Sequence, residues 1–356
     1  MSRPLRILHG ADFHLDTPFT PQDFGMPQQR REQLRQAAVQ ALGLGGEHDL
    51  ILLAGDVFDA AAYPETVQLL QDVLAGLGCP VFISPGNHDP FTPSSPWAAY
   101  QWPENVHIFT SSQIEAVELP ALNCTVYGAA FQGDTAHDLL RGFRAEGPGR
   151  KVMLLHGDGL NRNSEYNYVN PEDVAASGLD YLALGHIHAP CLPKQAGGTW
   201  YGWPGCLLGR DFGEPGPHGV FSVELSDAGC RTRLVETPGP RWLTMQVRAD
   251  GDAAAALKQA RNAVQAGDHL RLTLSGVCPA FDAAPFFEGL ASFCLTDQTL
   301  RPEELWADAG AETLRGLFLQ ALKARYEAAE DPAERRLAQD AALWGLAALE
   351  GREAPC

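Results

Sequence analysis

Near-continuous apolar runs recur through the first half of the chain, at Leu5–Leu8, Leu50–Ala54, Val81–Ser84, Val152–Leu155 and Tyr181–Leu184. Short runs without polar alternation predict strands buried on both faces. Between them the pattern turns helical, over Gln28–Leu42 and Pro64–Leu77. In the second segment Val67, Leu69, Leu70, Val73, Leu74 and Leu77 share one face, and Gly78 is the expected stop. Strand-helix alternation of this kind predicts an α/β fold. From about Trp200 the texture becomes β, with strands expected at Thr199–Tyr201, Gly219–Leu225 and Arg231–Glu236. The last two are joined by a hairpin turn around Ser226-Asp227-Ala228-Gly229.

The run Thr237-Pro238-Gly239-Pro240 reads as a domain boundary. Beyond it the pattern predicts strand Trp242–Val247, helix Ala253–Gln265, strand Leu270–Leu274, a short helix near Ala283–Leu290 and strand Phe293–Thr296. A helical tail follows from Pro302 to Gly351. The expected organisation is therefore a catalytic domain over 1–240, a small α/β module over 241–300 and a helical tail over 301–356.

Composition narrows the class. With 356 residues, 45% hydrophobic and 20% charged, the chain resembles an ordinary globular protein large enough for one major domain and a minor one. No apolar stretch has the length of a membrane span, and the first residues lack a signal-peptide h-region, so the expectation is a cytoplasmic protein with no membrane partner. Its eight cysteines (Cys79, Cys124, Cys191, Cys206, Cys230, Cys278, Cys294 and Cys356) form no C-x-x-C pair, which argues for reduced thiols over a disulfide framework or a structural zinc site. The charge matters more. At −18, with 44 acidic against 26 basic residues, the chain does not advertise a broad basic surface for duplex DNA.

Chemistry collects where the apolar runs end. After the five runs come, in order, Asp12-Phe13-His14, Gly55-Asp56-Val57-Phe58-Asp59, Gly86-Asn87-His88-Asp89, His156-Gly157-Asp158 and Gly185-His186-Ile187-His188. Functional groups gather at the carboxyl ends of strands in α/β folds, because loops there converge on one crevice. Strand-end turns favour Gly, Asp and Asn by themselves, yet that preference does not account for the histidines. Carboxylate, imidazole and amide oxygen, with no thiolate, suit Mn²⁺, Fe or Zn²⁺ at a dinuclear centre. Such a centre clamps both oxygens of an in-line displacement at phosphorus, and lowers the pKa of water from 15.7 to roughly 7.

Taken together, D-x-H, G-D-x-x-D, G-N-H-D, H and G-H-x-H resemble the calcineurin-like metallophosphoesterase superfamily over Arg6 to about Glu236. The runs His9–Phe19 and Leu179–His188, and Gly209-Arg210-Asp211-Phe212-Gly213-Glu214 followed by His218-Gly219, are similar to SbcD-like DNA-repair exonucleases, nearest the YhaO-like branch. The resemblance implies a layered α/β/β/α sandwich with a small α/β cap and a helical C-terminal tail. It assigns Asp12, His14 and His188 to one metal, Asn87, His156 and His186 to the other, and Asp56 to the bridge between two divalent ions, Mn²⁺ foremost. His88 becomes a non-ligand that protonates the leaving oxygen or stabilises phosphoryl charge, with Asp89 orienting its ring. Asp59 stands where some relatives place a histidine facing the substrate. The implied activity is a metal-dependent DNA exonuclease with some endonuclease action, and the implied partners are DNA, an SbcC-like SMC-type ATPase subunit and a second copy in a homodimer.

Alternatives stay open at this stage. The acidic charge and Asp59 favour a small-molecule phosphodiesterase or pyrophosphatase on the same core. A metal-bound scaffold for an ATPase is the non-enzymatic reading, against which the intact His88 speaks. Arg210 is a candidate phosphate clamp, while Asn161, Asn163, Tyr166 and Tyr168 are candidates for shaping a substrate mouth. Trp97, Trp102, Trp200 and Trp203 could stack bases, although packing explains such residues more often. His9, His48, His107, His137 and His269 read as ordinary. In the tail, Leu314, Leu317, Phe318, Leu322 and Tyr326 form one expected stripe, and Leu337, Ala341, Trp344 and Leu349 a second. These stripes would pack on the chain itself or dock a partner.

Overall fold

The computed structural model describes residues 3–20, 27–59 and 62–351, and the chain divides into two compact units, Met1–Gly239 and Pro240–Cys356. In the first unit, β1 (Leu5–Gly10), β2 (Leu50–Leu53), β3 (Val81–Ile83) and β4 (Val106–Ile108) run parallel, with α1 (Pro27–Gly43), α2 (Pro64–Ala75) and the short α3 (Pro96–Ala99) in the connections. A second sheet is built from β5 (Glu115–Leu119), β6 (Cys124–Gly128), β7 (Arg150–His156), β8 (Tyr181–Gly185), β9 (Cys191–Ala196) and β10 (Thr199–Trp203), with α4 (Pro171–Ala176) before β8. The hairpin β11 (Gly219–Ser226) and β12 (Gly229–Glu236) then returns to the first sheet. The two six-stranded orders are β12-β11-β1-β2-β3-β4 and β5-β6-β7-β8-β10-β9.

Strand periodicity explains the layering. Successive side chains on a strand point to opposite faces, so a strand apolar at every position must have a core on each side. Ile7, Leu50, Leu52 and Phe82 meet Val126, Val152, Leu154, Tyr181 and Ala183 between the sheets. Their neighbours Leu8, Ile51, Leu53, Val81 and Ile83 pack outward on Leu34, Ala38 and Leu42 of α1 and Val67, Leu70 and Leu74 of α2. On the far side, Met153, Leu155, Leu182 and Leu184 cover Val174 of α4. The result is an α/β/β/α sandwich. Helix α2 stops at Ala75, earlier than the expected Leu77. The Gly76 N–H bonds to both Asp72 O and Val73 O, and Leu77 N to Leu74 O, so the last turn tightens before Gly78 is reached.

The second unit contains the parallel sheet β13 (Trp242–Arg248), β14 (His269–Val277) and β15 (Ser292–Leu300), joined through α5 (Ala253–Asn262) and a single turn at Ala284–Phe287. Leu257 and Ala260 of α5 and Phe287 pack on Leu270, Leu272 and Leu274. The C-terminal helices are α6 (Pro302–Leu305), α7 (Leu314–Ala328) and α8 (Pro332–Leu349). Their buried face differs from the expected stripes. Leu319, Ala342, Leu343 and Leu346 form the cluster, with Phe318 and Leu322 at its border. Leu314, Leu317, Leu337, Trp344 and Leu349 are exposed. Alanine-rich α8 offers two apolar faces of similar strength, and the small residues Ala338 and Ala342 face inward, where helices approach closely. Among the described residues, no helix is long and apolar enough to cross a membrane. Seven of the cysteines are free thiols, and Cys356 lies outside the described residues.

Candidate metal centre

All five motifs sit at carboxyl ends of parallel strands. Asp12 and His14 follow β1, Asp56 follows β2, Asn87 and His88 follow β3, His156 ends β7, and His186 and His188 follow β8. The first two loops are bonded together, Asp12 N to Gly55 O at 3.0 Å and His14 N to Asp56 O at 2.9 Å. Several of these residues adopt left-handed backbone: φ is 54° at Asp12, 45° at His14, 51° at Asp56 and 96° at His186. Non-glycine residues hold such angles at a cost of roughly 1–3 kcal/mol each, and strain of this kind clusters at functional sites. Gly86 has a different reason to be glycine. A Cβ there would collide with the Asp56 carboxylate and backbone.

The donor atoms converge. Asp12, His14 and His188 offer ligand atoms within 4.8 Å of one another, and so do Asp12, Asp56 and His156. The His14 and His188 Nε2 atoms face each other at 3.1 Å. Asp56 Oδ2 lies 3.3 Å from His156 Nε2 and 3.8 Å from His14 Nε2, between the two sets. Asn87 Oδ1 is 2.9 Å from His156 Nε2. His186 contributes its backbone N–H to both Asp12 oxygens, at 2.9 and 3.0 Å. Its ring lies edge-on to His156, centroids 5.3 Å apart, and tilted against Tyr166 at 4.9 Å.

These residues fit a pair of divalent cations, and His156 makes the case. Its Nδ1 is 3.0 Å from the Ala54 carbonyl, which requires Nδ1–H. Nε2 then faces two oxygens, and a positive charge must lie between them. The surroundings favour that charge: burial opposes it on the ring, but the Asp56 carboxylate outweighs burial and raises the His156 pKa to about 9. Ligand atoms about 2.1 Å from an ion lie roughly 3 Å apart, the spacing seen here. Burial drives His14 and His186 the other way, toward the neutral state a ligand needs.

His88 behaves differently. Its side chain is 43% exposed, and Nδ1 is 3.1 Å from Asp59 Oδ1. The hydrogen bond to Asp59 raises its pKa despite partial burial, with Asp56 adding to the effect. The expected partner for this ring was Asp89, and the geometry corrects that. Asp89 is buried and accepts N–H bonds from Gly86 (2.7 Å), Val57 (2.8 Å), Asp56 (3.1 Å) and Phe58 (3.1 Å). It ties the β2 and β3 loops together and leaves the ring to Asp59. Asp59 also accepts from Thr17 Oγ1 at 3.0 Å and lies 3.5 Å from His14 Nδ1.

Arg210 reaches the same crevice. Its Nη2 is 2.7 Å from Glu214 Oε1 and 2.8 Å from His188 Nδ1. Two further residues, Glu214 and Asn167, support the site. Glu214 Oε1 is 2.6 Å from His188 Nδ1. Buried Asn167 donates to His156 O at 2.9 Å and accepts from Leu139 N. Of the other candidates, Asn161 and Asn163 are exposed and make turn bonds only, Tyr168 is half-buried, and Tyr166 stands beside His186. Trp97 and Trp203 are buried with N–H groups bonded to Asp89 O and Gly157 O, and Trp102 and Trp200 are half-buried, so packing accounts for them. His9 is buried between the Tyr181 hydroxyl and Leu184 O, and burial lowers its pKa to about 3.

Residues 5–190 match the calcineurin-like phosphoesterase family. The chain is 30% identical over 248 residues to the uncharacterized metallophosphoesterase YhaO of Bacillus subtilis, an alignment covering 64% of this chain and 59% of that protein. It is 27% identical over 237 residues to the DNA double-strand break repair protein Mre11 of Aeropyrum pernix, covering 57% and 53%. A probable cyclic nucleotide phosphodiesterase of Coxiella burnetii is 26% identical over 160 residues, covering 42% and 63%. The matches thus span less than two-thirds of each relative's length.

Proposed function

The chain belongs to the calcineurin-like phosphoesterase family, and from that premise we propose that it is a metal-dependent DNA exonuclease acting in DNA repair. The observation that carries the proposal is the pair of donor sets Asp12, His14, His188 and Asp12, Asp56, His156, with the half-exposed His88 ring 4.8 Å from that of His14. Asp12, His14 and His188 would hold one cation, Asn87, His156 and His186 the other, with Asp56 between them. Manganese is the proposed ion, one of those that a mixed oxygen and imidazole donor set accepts alongside iron and zinc. When bound, the ions supply charge neutralisation at the phosphoryl group and make water an adequate nucleophile at neutral pH.

The chain's own residues do the rest. His88, its pKa raised by Asp59, would hold a proton at Nε2 for the leaving oxygen, and its exposure gives a substrate access to that atom. Arg210 brings a guanidinium toward the same opening as a phosphate contact. Similarity to an Mre11 protein supports DNA as the substrate, and the module at 241–300 is proposed to favour DNA ends over small phosphodiesters. Exposed Leu314 and Leu317 on α7, with Leu337 on α8, offer apolar contacts for an SbcC-like ATPase subunit or a second copy of the chain. The charge of −18 and the Coxiella relative favour a second reading, a small-molecule phosphodiesterase on the same core. A purely scaffolding role is disfavoured by the intact His88–Asp59 pair.

Digestion of end-labelled linear DNA with Mn²⁺ tests the proposal. Shortening of the label that drops by about 10²–10³-fold in His88→Ala is the expected result. Turnover of a chromogenic phosphodiester with no attack on DNA, with or without an ATPase partner, would replace it with the second reading.

A further inference from the structure

Three groups meet behind His188 in a way that one of them must lose. Glu214 Oε1 is 2.6 Å from His188 Nδ1, Arg210 Nη2 is 2.7 Å from the same oxygen, and Arg210 Nη2 is 2.8 Å from His188 Nδ1. A ring nitrogen of a neutral histidine carries either a proton or a lone pair. If Nδ1 carries the proton it donates to Glu214, and the Nε2 lone pair points to His14 Nε2, 3.1 Å away. If Nδ1 is bare it accepts from Arg210, and Nε2 carries the proton and is useless as a ligand. The guanidinium therefore favours the wrong tautomer, and the carboxylate favours the right one.

We propose that Glu214 is a positioning residue that holds His188 in its metal-binding tautomer against competition from Arg210; this rests on the metal centre proposed above. Glu214 is well placed for the task. It is 16% exposed, so water competes little. Its Oε2 accepts from Arg210 N at 2.9 Å and Nε at 3.2 Å, which occupies the guanidinium and fixes the carboxylate plane. The Glu214 carbonyl is 3.0 Å from His218 Nε2, and Arg30 Nη2 donates to Arg210 O at 2.5 Å, so the loop is held at both residues. A charge-assisted bond from Nδ1–H to a carboxylate outcompetes a bond accepted from a guanidinium already paired elsewhere. The same carboxylate thus disarms Arg210 toward His188.

A double-variant cycle on the full chain separates this role from generic support of the loop. Mn²⁺ binding is measured by titration calorimetry on the parent, Glu214→Ala, Arg210→Ala and the double variant. Glu214→Ala is expected to weaken one of the two ions by about 10- to 100-fold, while Arg210→Ala changes neither by more than about threefold. Removing the competitor should then restore binding, so the double variant binds at least about tenfold tighter than Glu214→Ala. A double variant as weak as Glu214→Ala, or a Glu214→Ala protein that binds both ions normally, overturns the proposal. Glu214→Gln, which keeps size and removes charge, runs the same cycle if Glu214→Ala does not fold, judged by melting in chelator. A parent chain that binds no pair of ions would instead defeat the metal centre itself, before the tautomer is at issue.

Discussion

Two aspartates, Asp59 and Asp89, close the second and third motifs, and sequence adjacency alone assigns their roles in the wrong order. Asp89 neighbours His88 in the chain, yet its carboxylate points inward to four backbone N–H groups, while Asp59 reaches His88 from the preceding loop. Loop N–H groups with no strand partner must be satisfied somewhere, and a buried carboxylate accepts several at once. That demand takes Asp89 away from the site. The consequence is a prediction for Asp59. Asp59→Asn keeps the shape but removes the charge that orients the His88 ring and raises its pKa. With a chromogenic phosphodiester, kcat should fall by about tenfold or more with little change in KM. An unchanged kcat would remove Asp59 from the catalytic arrangement. His14, 3.5 Å from Asp59, is the control: Mn²⁺ affinity should change less than kcat does.

At the scale of elements, a buried carboxylate ties the start of one strand to its neighbour. Asp268, before β14, is buried and accepts from Arg241 N (3.1 Å), Arg241 Nη2 (2.5 Å) and Gln265 N (2.8 Å), locking the start of β13 to its parallel neighbour. Burial pushes its pKa up, but Arg241 and the backbone N–H groups outweigh burial and hold it below the ordinary value. A carboxylate whose folded pKa is depressed stabilises the fold above its unfolded value of about 3.9, and that stability is lost as pH falls through the folded value. Asp268→Asn should therefore lower stability by about 1.5–3 kcal/mol at neutral pH and by much less in acid. Thermal melts at the two pH values check this, and an equal loss at both would rule out the charge as the cause. Strands were legible in the sequence where both faces are buried. That holds for β1, β2, β3, β7 and β8, whose runs left little alternative. Their neighbours β4, β5 and β6 were missed, because β4 is half-buried, β5 alternates with exposed positions and β6 carries Thr125 and Cys124 within its run. The ligand loops were legible because ligand chemistry stands next to those strands. Glu214 was not, since 26 residues separate it from His188 and only the return of the chain through β9 and β10 brings them together.

For the whole molecule the difficulty is charge. A net −18 repels a polyanion; if the substrate is DNA as proposed, its binding energy must come from a few places where the local field is reversed, and cations bound at the site would be the largest of these. The first unit contains every proposed ligand, along with His88, Asp59, Arg210 and Glu214, and its apolar clusters draw only on its own residues. The second unit likewise has its own clusters, drawn from residues after Pro240. If catalysis belongs to the first unit and substrate choice to the second, the two should separate on truncation. A chain ending at Gly239 should hydrolyse a small chromogenic phosphodiester with kcat/KM within about threefold of the full chain, and cleave linear DNA at least about tenfold less well, because contacts remote from the reacting phosphate are lost only for the large substrate. Undiminished DNA cleavage would show that residues after 239 take no part in choosing the substrate. Equal loss on both substrates, in a truncated chain that still binds Mn²⁺, would mean the second unit supports the chemistry itself, and the small-molecule reading would then lose its claim that the core suffices.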